Sequence, residues 1–511
     1  MNTAIRVLGS GLLMLMLAGC PPLPPVGAPV SVTVDNSSVT TQPQVNRLVV
    51  GTNTQWIHSG DGLLLPNSLS FAPQVLARAT DLAPTMVRYP GGTLTDAYRW
   101  QTGIGPLASR GQSINAFSGI PATVFFGTVE MLNLSRILGA EPLISVNTVT
   151  GTASEAADWV RFVNIDQPAT GAGLPIARFW EIGNEPYLRN ENQPQFTRTP
   201  AEYLVALNSF VPAMQAVDPS IQVGLPLVSP NVERFLTPPY DTYNATVLNG
   251  RTVPLGYVAV HNAYLPFTFT PGAPANNQLN VAFSAAATAS MRDLDALKLR
   301  MLASGLDVPF AITEYSPLVT LGRSSDNLIN SPAGALYIAD LLTLYAARDD
   351  ILSANHWSLV GNGFFGAIGF NATMRPAFTM LRELSRDLRG ARLPIAVATP
   401  TFDAPEFGVV PATNGVPLVS GFACTDAGRV RVVLINRDVT ASHPTTLNFA
   451  SAVNGGGEKR TYAAHGTALM AFSSGGGGAP TFVAEAVGAL QGTPLSLSLA
   501  PQSVTVIDLA L

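Results

Sequence analysis

Short apolar runs alternate with longer amphipathic segments along most of the chain, from about residue 47 to residue 358. Each short run ends in polar residues, as buried strands do when they deliver side chains to a sheet edge. The runs predict eight strands: Arg47–Gly51, Thr85–Tyr89, Pro142–Asn147, Arg178–Gly183, Ile221–Leu225, Tyr257–His261, Pro309–Thr313 and Ala354–Ser358. Helical periodicity between them predicts helices that include Thr123–Leu138, Ser154–Val163, Pro200–Val217, Ala282–Leu302 and Pro332–Ala347.

Eight strands that alternate with helices favour an α/β fold of the (β/α)8 TIM-barrel type, which we expect over residues 46–388. The alternative architecture is a doubly wound open sheet. That fold places a Gly-rich phosphate-binding loop after its first strand, and the chain has none at that position.

The texture of the chain changes after about Leu388, where helical periodicity fades. Short β-rich runs follow, separated by Gly-rich turns, at Arg429–Asn436, Thr445–Phe449, Ala468–Phe472 and Ser503–Leu509. They predict a C-terminal antiparallel β-sandwich over residues 389–511. Val30–Val34 alternates Val with Ser and Thr, and we expect this strand to pair with the sandwich.

The N-terminus has the pattern of a targeting segment. Arg6 precedes an apolar stretch, and Leu17-Ala18-Gly19-Cys20 resembles the lipobox of bacterial lipoproteins. We therefore expect residues 1–20 to be a signal peptide and Cys20 to be lipidated, with an ordinary signal peptide as the alternative. Residues 21–45 would form a Pro-rich tether and the N-terminal strand, holding the protein in the cell envelope on the exported face of the outer or cytoplasmic membrane.

Composition narrows the choice of function. The 511 residues are 47% hydrophobic and 12% charged, which fits a large folded protein of two domains. A net charge of −5 argues against a nucleic-acid partner. Cys424 is the one cysteine besides Cys20, so we expect no disulfide. The sequence has no HExxH motif and no Cys/His ligand cluster, and we expect neither a metal nor another cofactor.

Two glutamates stand at the ends of predicted strands. The run Phe179-Trp180-Glu181-Ile182-Gly183 leads into Asn184-Glu185, and the run Pro309–Thr313 leads into Glu314. A retaining glycosidase needs one carboxylic acid that protonates the leaving oxygen and one carboxylate that attacks the sugar. We assign Glu185 to the first role and Glu314 to the second. The alternatives are a helix N-terminal glutamate at position 185 and a surface ion pair at position 314.

Three polar residues near other strand ends could complete such a site. Arg88 lies within an apolar run, so its charge requires an anion, either a catalytic carboxylate or the local Asp96. Asn147 could bind a sugar hydroxyl or could form a local turn. Asn184 stands beside Glu185, where an amide can bond the 2-hydroxyl of the sugar.

Three further residues follow from the sixth and eighth strands. His261 ends the sixth strand, and we expect it to bond Glu185 or the sugar, with a core histidine as the alternative. Tyr264 lies just beyond it. Trp357, at the end of the eighth strand, suits a stacking floor for a sugar face and equally suits the core.

The segments VRYPGGTLTDAYRWQTGIGP, EPLISVNTVTGT, GNE, YVAVHNAY and ITEY resemble, in this order, those of the α-L-arabinofuranosidases of glycoside hydrolase family 51. That resemblance implies a retaining (β/α)8 barrel with a β-sandwich. It also implies Glu185 as acid/base, Glu314 as nucleophile, and a surrounding shell of Arg88, Asn147, Asn184, His261 and Tyr264. The family usually has a substrate-binding Glu after its first strand, where this chain has Gln55 as the nearest candidate, which leaves the sugar preference open.

The sequence therefore predicts a retaining glycoside hydrolase that acts on a carbohydrate substrate, most similar to α-L-arabinofuranosidases. A more distant likeness to heparanase and β-glucuronidase barrels keeps glucuronides open as substrates, and Arg99 and Arg323 are candidates to bind their carboxylate. β-Glucans are a further candidate. A surface lipoprotein that binds glycans without cleaving them is the alternative from another class, although both carboxylates of an active hydrolase are present.

Overall fold

The computed structural model describes residues 25–37, 42–262, 276–318, 331–361, 365–463 and 481–511. Four predictions lie outside these ranges: the signal segment with Cys20, Tyr264, the strand Ala468–Phe472, and Arg323, considered for a glucuronide. None of the helices within the described ranges combines the length and apolar character that crossing a bilayer requires.

Eight parallel strands close into a barrel. In chain order they are Gly51–Asn53, Met86–Tyr89, Glu141–Val146, Phe179–Ile182, Gln222–Leu227, Tyr257–Val260, Phe310–Tyr315 and Ile351–His356. Each pairs with the next, and the last pairs with the first through the partners Asn355↔Gly51 and His356↔Thr52. The predicted TIM barrel is therefore confirmed.

Helices connect these strands on the outside of the barrel. The longer ones are Pro73–Leu82, Thr128–Leu138, Ala153–Arg161, Pro200–Val217, Tyr243–Gly250, Asn276–Ala303, Pro332–Ala346 and Pro376–Asp387. The start of Pro200–Val217 shows why such helices form where the sequence predicts them. Thr199 and Glu202 cap each other's backbone N–H groups in a capping box, and Pro200 occupies the first turn, where no donor is needed.

Several predicted boundaries were wrong. The helix predicted from Ala282 begins at Asn276, and the strand predicted to end at Thr313 continues to Tyr315. Arg47–Val49 forms a 3-10 turn rather than a strand, because the side chain of Asn46 accepts from the backbone N–H of Leu48 and caps it. The first strand therefore begins at Gly51. The eighth strand begins three residues before the predicted Ala354. The helix predicted from Thr123 begins at Thr128, because Pro121–Thr123 pairs with Gln112–Ile114 in a small hairpin.

The barrel interior is layered. Its lower layer is apolar and consists of Met86, Leu143, Phe179, Tyr257, Ala259 and Ala311. Side chains two positions apart on a strand point to the same face. Arg88, Glu181 and Thr313 stand two positions after Met86, Phe179 and Ala311, so the same alternation directs them into the next layer. An apolar floor therefore supports a polar layer beneath the open end of the barrel.

The C-terminal region is a two-sheet sandwich, as predicted. A six-stranded sheet contains Ala391–Leu393, Val419–Asp426, Arg429–Asn436, Gly457–Ala463, Val483–Val487 and Ser503–Ala510. A four-stranded sheet contains Val30–Val34, Ile395–Ala398, His443–Phe449 and Leu495–Leu499. Val30–Val34 pairs antiparallel with Ile395–Ala398 but parallel with His443–Phe449, so the second sheet is not purely antiparallel.

The strand Arg429–Asn436 of the six-stranded sheet is buried on both faces. Val430, Val432 and Leu434 pack toward the four-stranded sheet, whereas Val433 and Ile435 belong to the large core of the barrel. This position explains why Arg429–Asn436 is almost continuously apolar in sequence. Short strands also occur at Val360–Gly361, Ile368–Gly369, Thr401–Ala404 and Thr413–Pro417.

Candidate active site

A cavity of about 560 Å³ opens at the carboxyl ends of the barrel strands. Its polar wall includes residues from the fourth, sixth, seventh and eighth strand ends: Asn184, Glu185, His261, Asn262, Glu314 and Trp357. Its apolar wall includes Phe117, Tyr187, Leu188, Phe196, Val228, Val232, Leu318 and Phe365. In TIM-barrel enzymes this end of the barrel holds the active site, and the mixed lining suits a sugar, which has both hydroxyl groups and apolar faces.

Arg88 organises the polar layer below the cavity. Its side chain is 0% exposed, and its Nη1 donates to Oε1 of Glu314 at 2.7 Å. Its Nε and Nη2 donate to the two oxygens of Glu181 at 2.9 and 3.0 Å. The guanidinium thus pairs with the proposed nucleophile as predicted, and no contact joins it to Asp96, the alternative partner, within the described residues. Burial opposes its charge, but the two carboxylates outweigh that effect and raise the pKa of Arg88 above its ordinary value.

A local irregularity in the seventh strand aims Glu314 at this arginine. Thr313 points into the barrel, so in a regular strand its neighbour Glu314 would point outward. The pairing with the eighth strand shifts register between Ile312 and Tyr315, however. Such irregularities redirect side chains next to active sites. As a result both side chains reach the interior: Thr313 contacts His261 at 3.0 Å, and Glu314 contacts Arg88.

Glu185 stands opposite, on the turn after the fourth strand. Its φ angle is +41°, in the left-handed region that side chains other than glycine rarely adopt, and such strain concentrates at functional sites. Its Oε1 lies 3.0 Å from Nδ1 of His261, the contact expected from the sequence. Burial alone would lower the pKa of His261, but the carboxylates of Glu314 and Glu185 outweigh it, so the pKa of the imidazole lies above its ordinary value.

The two glutamates face each other across the cavity. One donor atom each from Glu185, His261 and Glu314 lie within 4.8 Å of one another. Retaining glycosidases hold their two carboxyl groups about 5 Å apart, whereas inverting enzymes hold them at about 6.5–9.5 Å. The same three side chains could reach a divalent cation, but Arg88 already neutralises much of the charge of Glu314, so the donor set favours acid–base chemistry.

Asn184 fits a sugar-binding role. Its Oδ1 accepts from Nη2 of Arg88 at 2.8 Å, which fixes the amide orientation. Its Nδ2 is buried and has no hydrogen-bond partner among the described residues. Because buried donors in proteins are almost always satisfied, a donor left open on the cavity wall indicates a place for a ligand oxygen.

The structure does not support the predicted role of Asn147. Its Nδ2 donates to the backbone carbonyl of Tyr98 and to Thr150, and its Oδ1 accepts from the backbone N–H groups of Val149 and Thr150. These four bonds use the full capacity of an amide. Asn147 also does not line the cavity. It forms the local turn that was the alternative reading of the sequence, because the chain must bend immediately after the third strand.

Trp357 lines the cavity with 7% of its surface exposed, which agrees with a floor for the sugar. Gly91 and Gly92 approach its ring so closely that a Cβ on Gly92 would lie 2.7 Å from the indole. Asp96 shares this wall, and burial together with the charge of Glu185 raises the pKa of its carboxyl well above the ordinary value. Trp100 lines a separate small pocket.

Three residues of the polar layer were not predicted from the sequence: Asn53, Glu181 and Thr313. Glu181 was treated as part of an apolar strand, although its spacing from Phe179 places it on the interior face. Asn53 accepts from Arg88 at 3.1 Å through Oδ1 and donates to the carbonyl of Thr313 at 2.9 Å. For Glu181 and Thr313 the available signal was a polar residue inside an otherwise largely apolar strand, a signal that the strand Gly51–Asn53 does not give.

Two residues that bear on substrate choice lie elsewhere. Gln55 does not line the cavity, so it does not replace the substrate-binding Glu expected after the first strand. Arg99, considered for a uronate carboxylate, pairs with Glu155 and with the backbone carbonyl of Thr150, away from the cavity.

The chain is similar to known proteins in sequence and in fold. The model of the alpha-L-arabinofuranosidase 1 domain matches residues 78–245, the segment that contains Arg88, Asn184 and Glu185. An exo-alpha-(1->6)-L-arabinofuranosidase from Bifidobacterium longum is 25% identical over 417 residues, which are 74% of this chain and 76% of that protein. In sequence the chain is therefore similar to α-L-arabinofuranosidases.

One further relative and one solved structure are also similar to this chain. An intracellular exo-alpha-L-arabinofuranosidase from Bacteroides ovatus is 36% identical over 120 residues, and the match spans 23% of this chain and 23% of that protein. The alpha-L-arabinofuranosidase from Thermotoga maritima has the same fold, with a TM-score of 0.77 and 19% sequence identity. The match covers 94% of this chain and 100% of that chain.

Proposed function

We propose that this protein removes α-L-arabinofuranosyl groups from polysaccharides or oligosaccharides by a retaining double displacement. The observation that carries the proposal is the approach of Glu185 and Glu314 within 4.8 Å at the open end of the barrel. The activities of the Bifidobacterium longum and Bacteroides ovatus relatives support arabinofuranose as the sugar.

In the first step, a carboxylate oxygen of Glu314 forms a bond to the anomeric carbon as the bond from that carbon to the leaving oxygen breaks. Arg88 pairs with Glu314 and orients it through the 2.7 Å contact to Oε1. Glu185 gives its proton to the leaving oxygen, so the leaving group departs as a neutral alcohol. The glycosyl group is now an ester of Glu314.

In the second step, Glu185 is a carboxylate and acts as a base. It takes a proton from a water molecule, whose oxygen attacks the anomeric carbon while the ester bond to Glu314 breaks. Two inversions at one carbon give net retention. The open Nδ2 of Asn184 would donate to a sugar hydroxyl, a contact that strengthens as the oxocarbenium-like transition state forms, and Trp357 would support the sugar ring.

A panel of 4-nitrophenyl glycosides tests this function directly. We expect the purified form that lacks residues 1–20 to hydrolyse the α-L-arabinofuranoside fastest and Glu314→Gln to be inactive. A preference for the β-glucuronide, or for β-glucan chains, would replace arabinofuranose with the alternative substrates. Binding of the glycans without hydrolysis would establish the non-catalytic alternative and contradict the proposal.

We also propose that the protein is a lipoprotein anchored through Cys20 to the exported face of a bacterial membrane. The charged, apolar and small-residue order of residues 1–20 supports this, as does the Pro-rich stretch that follows. Expression in a bacterial host with labelled palmitate tests it. The wild type should carry the label in the membrane fraction, and Cys20→Ser should not. Label that is retained in Cys20→Ser would contradict this proposal.

A further inference from the structure

Buried polar contacts continue from the proposed acid/base residue into the polar layer of the barrel. Nδ1 of His261 lies 3.0 Å from Oε1 of Glu185, and Nε2 lies 3.0 Å from the hydroxyl oxygen of Thr313. The hydroxyl of Thr313 in turn donates to Oε1 of Glu181 at 3.5 Å. Glu181 and Thr313 are 0% exposed and do not line the cavity, so neither contacts the substrate.

The charge of Glu181 decides the direction of these hydrogen bonds. Arg88 donates to both of its oxygens, and in this ion pair the carboxylate of Glu181 only accepts. The single proton of the Thr313 hydroxyl is therefore attracted to Glu181. The hydroxyl oxygen then presents lone pairs to Nε2 of His261, which must carry a proton to bond it.

A proton fixed on Nε2 leaves Nδ1 of His261 for Glu185. When Glu185 holds the catalytic proton, Nδ1 accepts a hydrogen bond from it. When that same proton lies on Nδ1 instead, the ring donates to the ionised Glu185. The two groups thus share one proton, which passes to the leaving oxygen in the first step and is regained from water in the second. Both states keep the 3.0 Å contact and require no movement of the ring. The opposite neutral tautomer would place a permanent proton on Nδ1 and would suit only the ionised form of Glu185.

We propose that Glu181 and Thr313 are positioning residues that hold the proton of His261 on Nε2, so that Nδ1 can share the catalytic proton with Glu185. This inference rests on the proposed function for its kinetic consequence, but the tautomer itself can be measured without turnover. The ionisable groups that face the imidazole are Glu185, Glu314, whose Oε2 lies 3.9 Å from Nδ1, and Arg88.

The first test is the tautomer. The chain has five histidines, so ¹⁵N-imidazole NMR of the full-length protein is tractable, and the spectrum of His261→Gln identifies the His261 signals. We expect a protonated Nε2 in the wild type and in Thr313→Ser, and loss of that pattern in Thr313→Val. An unprotonated Nε2 in the wild type would overturn the proposal, whether or not the protein hydrolyses any sugar.

The second test uses two α-L-arabinofuranosides that differ in the leaving group. Phenol needs a proton to leave, whereas 2,4-dinitrophenol leaves without one. We expect Thr313→Val to lower kcat/KM about tenfold or more for the phenyl glycoside and little for the dinitrophenyl glycoside, because only the first depends on general acid catalysis. Thr313→Ser should restore the wild-type ratio.

Two variants guard this result against a folding defect. Thr343→Val is a matched control, because Thr343 is also buried and its hydroxyl bonds only the carbonyl of Asp340 in a helix outside the barrel. Glu181→Gln should reproduce the selective loss if Thr313→Val does not fold. Equal losses on both substrates in Thr313→Val and Glu181→Gln, or no loss in either, would overturn the proposal.

Discussion

Arg88 and Glu314 meet beneath the cavity although they are 226 residues apart in the chain, with Nη1 of Arg88 2.7 Å from Oε1 of Glu314. Arg88 also pairs with Glu181, so one guanidinium balances two carboxylates in a layer shielded from water. The group retains a net negative charge, which a nucleophile requires. It also makes both glutamates dependent on one arginine.

We expect Arg88→Met to lower the free energy of unfolding by about 3–5 kcal/mol, because it leaves buried carboxylates without a counter-charge. Urea unfolding followed by tryptophan fluorescence measures the change. Arg178→Met is the matched control: Arg178 is 54% exposed and pairs with Glu141 at the surface, so its loss should cost about 1 kcal/mol or less. Equal losses in the two variants would show that the buried network does not stabilise the barrel.

Asp293 predicts a pH dependence of stability. It is 3% exposed, and burial raises the pKa of its carboxyl to about 6 from 3.8. The folded state therefore binds this proton more tightly than the unfolded state. Stability from this group is complete below the unfolded pKa and is lost as the pH rises through about 6, by about 3 kcal/mol in all.

We expect Asp293→Asn to remove that loss while its side-chain oxygen still accepts from the backbone N–H of Asn231. The Tm of the variant should exceed that of the wild type at pH 7.5 and approach or fall below it at pH 4, as measured by differential scanning fluorimetry. A difference in Tm that does not change with pH would show that Asp293 does not titrate as described.

Arg437 fastens the sandwich to the barrel. It follows the strand Arg429–Asn436, and its Nε and Nη2 donate to both oxygens of Asp340 in the helix Pro332–Ala346, with the two side chains 4% and 6% exposed. Arg437→Ala should cost about 3–5 kcal/mol of stability and leave kcat/KM unchanged at temperatures where the variant is folded. A matched surface variant, Lys459→Ala, breaks an exposed pair with Glu485 and should have little effect.

Lower stability with an unchanged kcat/KM in Arg437→Ala would separate a structural role of this residue from a catalytic one. Thermal unfolding and hydrolysis assays on the same preparations provide both readings. If Arg437→Ala lowers kcat/KM while the protein remains folded, the sandwich contributes to the active site in a way that the present contacts do not show.

The barrel could be predicted because its strands are short, apolar and regularly spaced, and because polar residues mark where they end. The strand Arg429–Asn436 was predicted at its observed boundaries, since burial on both faces makes it apolar throughout. The first strand was placed too early, because Leu48 and Val49 are apolar although a capped turn precedes the sheet. Apolar composition does not distinguish a buried turn from a strand.

The site residues at the strand ends were predicted from the sequence, but those in the polar layer deeper in the barrel were not. His261 directly follows its strand, Glu185 lies three residues after its strand, and Glu314 is the next-to-last residue of its strand. Their position in sequence therefore indicates their position at the open end of the barrel. Glu181 and Asn53 lie within strands, and only the pairing across the barrel shows that they face Arg88. Asn147 has the same sequence context as Asn184, and the difference lies in which backbone groups need its amide.

An external nucleophile should substitute for the function of Glu185 in the second step of the reaction. We expect Glu185→Ala to lower kcat for the phenyl glycoside by about 10²- to 10⁴-fold, because its leaving group needs a general acid. Sodium azide should restore turnover of the dinitrophenyl glycoside and give a glycosyl azide of retained configuration. Glu155→Ala, outside the cavity, is the control. Azide without effect on Glu185→Ala would remove Glu185 from the acid/base role.

The covalent intermediate tests the central claim, that Glu314 attacks the sugar while Glu185 serves the leaving oxygen. Glu185→Ala treated with the dinitrophenyl arabinofuranoside should accumulate a glycosyl–enzyme, because its formation needs no acid and its hydrolysis lacks a base. Mass spectrometry of the digested protein should then show a pentosyl group on the peptide that contains Glu314. A pentosyl group on another residue, or release of product with inverted configuration and no adduct, would contradict the account.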